Sequence, residues 1–221
     1  MVKYVLSHDM EDINSRGWKK RTPVMVAALR GHKEEVELLV GEGADVSLVS
    51  ERGANILHLA SRGGHVEVVK YVLSQVMVRI NSRGWKKRTP VMAAALHGHK
   101  EVVELLVGEG VDVSLVSERG ENILHLAHRG GHVEVVKYVL SQDKVGINAK
   151  NNKGQTAAKI AISQDRGDML YLLVSHGAVM KCLRRHSYYK RQCVEYNYDV
   201  HVLNTLMLLQ TLKCRIKSCC Y

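Results

Sequence analysis

The chain has no phenylalanine, and its 221 residues include only two prolines and two tryptophans. Any core it builds is therefore aliphatic. Cysteine is confined to the end: Cys182, Cys193, Cys214, Cys219 and Cys220 are all five, so the long body needs no disulfide framework. No run of about 18 apolar residues occurs, and the opening MVKYVLSHDM lacks the zones of a signal peptide. An intracellular, cytoplasmic protein is expected, with the nucleus as the alternative. The usual marks of catalysis are also missing. There is no Gly-rich phosphate loop after a strand, no G-x-S-x-G, and no body cysteine to act as nucleophile, so no enzyme activity and no cofactor are expected.

Charge is unevenly spread. The net charge is +10, but residues 180–221 hold eight Lys/Arg against two acids, a net of +6, which leaves +4 on the first 179 residues. A body of that size at +4 does not point to nucleic acid on charge alone.

What the chain does have is self-similarity. Residues 14–75 and 81–142 differ at only six positions: Val26/Ala93, Arg30/His97, Glu35/Val102, Ala44/Val111, Ala54/Glu121 and Ser61/His128. The 67-residue period is composite, because TPVMVAAL at Thr22 returns in degraded form 33 residues on as NILHLASR. Each unit has one grammar. Thr22 can cap a helix that carries Pro23 at its first position, and Val24, Val26, Ala27, Ala28 and Leu29 form a short apolar helix ending before Gly31. In KEEVELLV, Val36, Leu39 and Val40 share one face of a second helix, which Gly43 closes.

TPVMVAALRGHKEEVELLVGEGADVS at 22–47 resembles the ankyrin-repeat pattern of T-P-L-H-x-A, G-H, an apolar helix and G-A-D-V-N. Residues 55–73, 89–114, 122–140 and, more loosely, 155–178 repeat it. The resemblance implies an all-α solenoid of helix-turn-helix pairs with hairpin-like finger loops. Five repeats are expected at about 14–47, 48–80, 81–114, 115–147 and 148–179, after a truncated half repeat over 1–13. One such unit cannot bury its own apolar face, so stability comes from stacking. The half repeat suggests that the array extends upstream of Met1. The departures from the pattern are local: Met25 and Met92 replace a histidine, Asn55 and Asn122 replace the capping threonine, and Glu35 stands at an apolar position.

Histidine crowds the second half, with His125, His128 and His132 within eight residues. However, His32, His65, His99 and His132 hold the G-H position and His58 and His125 the T-P-x-H position, where the resemblance implies hydrogen bonds to loops. No metal site is expected.

The heptapeptide GWKKRTP at 17–23 returns at 84–90. Lys19-Lys20 and Lys86-Lys87 fall where the family commonly has Asp-Gly, a substitution that costs about 1 kcal/mol if the backbone needs positive φ. Two basic, tryptophan-bearing tips should then lie roughly 20 Å apart along one edge. Trp18, Lys19, Lys20, Arg21, Arg52, Trp85, Lys86, Lys87, Arg88 and Arg119, with Arg30 and His97 on the adjoining helices, are the candidate partner contacts. The competing reading lays each tryptophan on a neighbouring finger, stacked on Arg52 or Arg119.

Residues 180–221 leave the pattern, and carry either a capping helix over about 200–215 or no fold of their own. The expected function is a non-catalytic protein-interaction scaffold for a partner with acidic segments. Two alternatives are the regulatory segment of a larger enzyme, such as a kinase or ubiquitin ligase, and electrostatic nucleic-acid binding. A monomer is expected, with end-to-end association through the uncapped N-terminus as the alternative.

Overall fold

The computed structural model describes residues 12–75 and 78–179. The leading half repeat up to residue 11 and the expected helix near 200–215 lie outside these residues. Among the described residues there are ten α-helices and no strand, arranged as five antiparallel pairs. The first helices of the pairs are α1 (Pro23–Arg30), α3 (Ile56–Gly63), α5 (Pro90–His97), α7 (Ile123–Gly130) and α9 (Ala157–Ser163). The second helices are α2 (Lys33–Gly41), α4 (Val66–Ser74), α6 (Lys100–Gly108), α8 (Val133–Ser141) and α10 (Gly167–Ser175). First helices pack on first helices and second on second, giving two layers.

Alanine explains how close the inner layer is. Ala27, Ala28, Ala60, Ala94, Ala95 and Ala127 are buried between first helices, where a larger side chain would hold the backbones apart. Larger aliphatics fill the space between the layers: Ile56, Leu57, Leu106, Ile123 and Leu124 are fully buried. Val36 and Leu39 are buried on α2, with Val40 packed partly against them. Glu35 takes the position that Val68, Val102 and Val135 bury on the other second helices.

Each first helix but the last ends on a left-handed glycine. Gly31 has φ +82, and a Cβ there would collide with the ring of His65. The histidines tie unit to unit. His65 Nε2 donates to Leu29 O at 3.0 Å, His99 Nε2 to Arg62 O at 3.0 Å and His132 Nε2 to Leu96 O at 3.1 Å. These acceptors lie in the last turn of the preceding first helix, not in the expected loops, because helix ends leave carbonyls without an intrahelical partner. In the last unit Arg166 does the same job, donating to His128 O at 2.6 Å. His58 Nε2 and His125 Nε2 do reach loops, donating to Arg88 O at 2.9 Å and Gln155 O at 3.0 Å.

The capping expectation for threonine needs correction. Thr22 and Thr89 sit at the N-cap positions with extended backbones, but their hydroxyls make no cap hydrogen bond and are buried without a partner. Asn55 and Asn122 do cap, accepting from His58 N and His125 N, both at 3.0 Å. In α3 the His58 ring returns the favour by accepting from Asn55 N at 3.4 Å, which closes a capping box. Met25 and Met92 offer no such acceptor at the equivalent position.

Candidate functional site: the finger tips

The tips project where the chain turns between units. In the first, Lys20 N–H donates to Gly17 O at 2.9 Å and Gly17 N–H to Arg21 O at 3.0 Å, closing a tight turn. Its two lysines are both left-handed, Lys19 at φ 59 and Lys20 at φ 51. The copy is the same, with Lys86 at φ 57 and Lys87 at φ 54. Gly53 at φ 70 and Gly120 at φ 69 take the Lys20 and Lys87 positions in the intervening tips. So the glycine-to-lysine replacements do carry a backbone cost, on the order of 1 kcal/mol each.

The fingers are laced to one another. Glu51 N–H donates to Lys19 O at 2.9 Å, Glu118 N–H to Lys86 O at 2.8 Å and Asn152 N–H to Arg119 O at 2.9 Å. Side chains add to this. Arg83 donates to Val116 O at 2.8 Å and Arg16 to Val49 O at 3.2 Å, while Asn14 and Asn81 accept from Asp45 N and Asp112 N. A tip side chain is therefore presented from a fixed backbone.

The two tryptophans differ in surroundings. Trp85 is sandwiched: Arg52 of the preceding finger lies 4.6 Å from its ring centroid, Lys86 4.2 Å and Arg88 5.6 Å. Among the described residues, Trp18 is approached by cations of its own finger, by Lys19 at 3.6 Å and Arg21 at 5.8 Å. Exposure follows, at 75% for Trp18 and 43% for Trp85. Stacking on a neighbour thus occurs at Trp85, on Arg52; the position equivalent to Arg52 for Trp18 lies before residue 1.

The arginines that follow the lysines turn inward. Arg88 is only 9% exposed, and the Nε atoms of Arg21 and Arg88 are both buried without a partner. Burial pulls both guanidinium groups below the usual arginine value, and Arg62 and Arg52 reinforce this at Arg21. Partial desolvation, then Arg52, Arg21 and Arg62, does the same to the Lys19 ammonium. Arg30 and His97 close their helices on the exposed side, and Arg52 and Arg119 are exposed on the intervening tips. Burial, with Arg62 as the next cause, pulls the His97 imidazole below its ordinary value.

Glu121 departs from expectation. A charged residue gained between the copies is expected at the surface, yet Glu121 is 1% exposed and paired with Arg129 at 2.6 Å. Sequence reasoning also passed over Arg62 and Arg129, although the Ala54/Glu121 mismatch eight residues upstream carried the signal. No group of three or more His, Cys, Asp or Glu that could hold a metal occurs among the described residues.

Three copies of a family model, described as ankyrin repeats, match residues 1–84, 24–117 and 91–183. The chain belongs to the ankyrin-repeat family. Ankyrin repeats are protein-interaction modules, generally without catalytic function of their own. The ankyrin chain is 31% identical over 152 residues to the nuclear factor NF-kappa-B p105 subunit of Rattus norvegicus, 65% of this chain and 16% of that protein. It is 32% identical over 179 residues to the ankyrin repeat and KH domain-containing protein mask-1 of Caenorhabditis elegans, 79% of this chain and 7% of that one. It is 35% identical over 118 residues to palmitoyltransferase AKR1 of Lachancea kluyveri, 52% of this chain and 16% of that one. The chain thus spans no more than 16% of the length of these relatives. Among the described residues no helix is long and apolar enough to cross a membrane.

Proposed function

We propose that this ankyrin array is a protein-interaction scaffold whose partner lies across the finger tips and the first helices. Trp18, Lys19, Lys20 and Arg21 are its principal contacts, and Trp85, Lys86 and Lys87 repeat them, whereas buried Arg88 supports the second tip from beneath. The observation that carries the reading is the repeated Trp-Lys-Lys turn, fixed by hydrogen bonds, whose Trp85 ring is still 43% exposed with a neighbouring finger packed against it. Such a ring is pre-organised for burial and loses little conformational entropy when a partner covers it. The left-handed lysines support the same reading, since backbone strain at a surface with no packing role is expected where a partner is met.

Affinity capture from nuclease-treated lysate tests this. The full chain is compared with the variant Trp18→Ala, Trp85→Ala, Lys20→Gly, Lys87→Gly by mass spectrometry. Discrete proteins held by the wild type and lost from the variant are the expected result. The same set held by both would move the binding surface away from the tips.

A further inference from the structure

The duplication supplies an internal control, because its two copies differ at six positions and one difference changes the charge beside the tips. In the second copy Glu121 is buried against Arg129, with oxygen to nitrogen distances of 2.6 and 3.3 Å to the two guanidinium nitrogens. This is the bidentate geometry that carboxylate and guanidinium favour. Arg88 feels the same carboxylate as a favourable neighbour. Arg129 and Arg88 thus share one internal counter-charge, with Arg119 nearby.

In the first copy the carboxylate is missing. Ala54 stands in its place, while Arg21, Arg52 and Arg62 are retained. Among the described residues no carboxylate lies within ion-pair distance of any of the three. Arg62 is exposed, whereas its counterpart Arg129 is partly covered by its ion pair. After burial, the nearby charges of Arg52 and Arg62 disfavour the charged forms of Arg21 and Lys19, with Glu51 opposing them at Lys19. Such a cluster is stabilised by any anion that enters it, and its position beside the exposed ring of Trp18 joins it to an apolar anchor.

We propose that Arg21, Arg52 and Arg62, with Lys19 at the rim, form a subsite for a carboxylate side chain from an acidic segment of a partner protein. Glu121 fills the equivalent site from within the chain in the second copy. This rests on the reading of the tips as a partner surface, and it places the acidic part of that partner over the first unit. A peptide suits the site better than a nucleic acid. Exposed Glu51 stands between the two basic tips and exposed Glu118 just beyond the second, so a backbone with a negative charge at about every 1.7 Å of duplex would meet repulsion as it ran along the edge.

The test uses the full chain and a fluorescein-labelled oligoglutamate peptide, read by fluorescence anisotropy, with thermal melts to verify that each variant folds. Ala54→Glu copies the second unit's counter-charge into the first and is expected to weaken binding about tenfold. Arg62→Gln, at an exposed position, is expected to weaken it in the same direction. Glu121→Ala is expected to open a second site and raise the number of peptides bound per chain. If Ala54→Glu and Arg62→Gln both leave the affinity unchanged, the subsite does not exist. If a labelled oligothymidine binds more tightly than the peptide and responds to the same substitutions, the site is for nucleic acid and the peptide assignment is overturned. Lysate capture separates the two levels. Tip variants that lose partners while Ala54→Glu leaves peptide binding intact would overturn the subsite alone; tip variants that keep every partner while Ala54→Glu weakens the peptide would overturn the tip reading alone.

Discussion

Residues 17–23 and 84–90 are the same seven amino acids in the same turn, yet they end in different surroundings. At the second tip Trp85 lies against Arg52 of the finger before it, and Arg88 is buried near Glu121. At the first, Trp18 is open and Arg21 shares its space with Arg52 and Arg62. Local sequence sets the turn in both, and at the second tip the neighbouring finger and Glu121 set what the turn presents. The two tips are therefore one conformation with two chemistries, a distinction that matters in a repeat protein because each unit contacts only the units beside it.

The largest expected effect asks whether the cores beneath the tips are equivalent. Leu57→Ala and Leu124→Ala should each cost about 2 to 5 kcal/mol, since both side chains are fully buried between the layers. Denaturant unfolding measures this, and costs that differ by more than about 1 kcal/mol would show that the copies pack differently.

The second prediction separates the copies by pH. His128 replaces Ser61, is fully buried, and has both ring nitrogens without a partner. Burial first, then the Arg166 guanidinium, lowers its pKa to about 4. The unfolded chain, with an imidazole near 6.5, then binds more protons than the folded one between about pH 6.5 and 4. Stability contributed by the neutral ring is thus present above that window and lost as pH falls through it, by about 2 to 3 kcal/mol. His128→Ser, which copies the first unit, should flatten the melting temperature between pH 7 and 4. An unchanged slope would assign the acid sensitivity elsewhere, with His58 and His125, whose pKa values burial also lowers, as the next groups to test.

Third, Trp85→Ala should cost about 1 kcal/mol through the lost stacking on Arg52, and Trp18→Ala about 0 to 0.5. Equal costs in a thermal melt would erase the difference between the tips. The smallest effect is a gain: Lys20→Gly and Lys87→Gly should each stabilise by about 0.5 to 1 kcal/mol, because glycine takes the left-handed conformation without strain. A loss instead would mean that the lysine stems contribute packing that outweighs the backbone cost.

Much of this was readable in advance. The helix pairs, the left-handed glycine ending each of the first four inner helices, and the demand for positive φ at Lys20 and Lys87 all follow from short-range spacing, and the structure has them. Threonine capping did not follow at Thr22 and Thr89, whose hydroxyls accept from no backbone N–H, although Thr156 does accept from Lys159 N. Nor did the histidine acceptors, which belong to the preceding unit about 36 residues away. The pairing of Glu121 with Arg129 lay in plain sight as a mismatch, but a charge change between copies does not say whether the new carboxylate faces water or a guanidinium.

By itself the sequence determined the unit, its period, its helix ends and the family, because capping, glycine geometry and apolar spacing act over a few residues. Only the tertiary structure decided that Trp85 stacks on Arg52, that Glu121 pairs with Arg129 and that His128 is buried without a partner. Those properties depend on distances between side chains, some of them more than 30 residues apart, where burial and charge are set by the neighbouring unit.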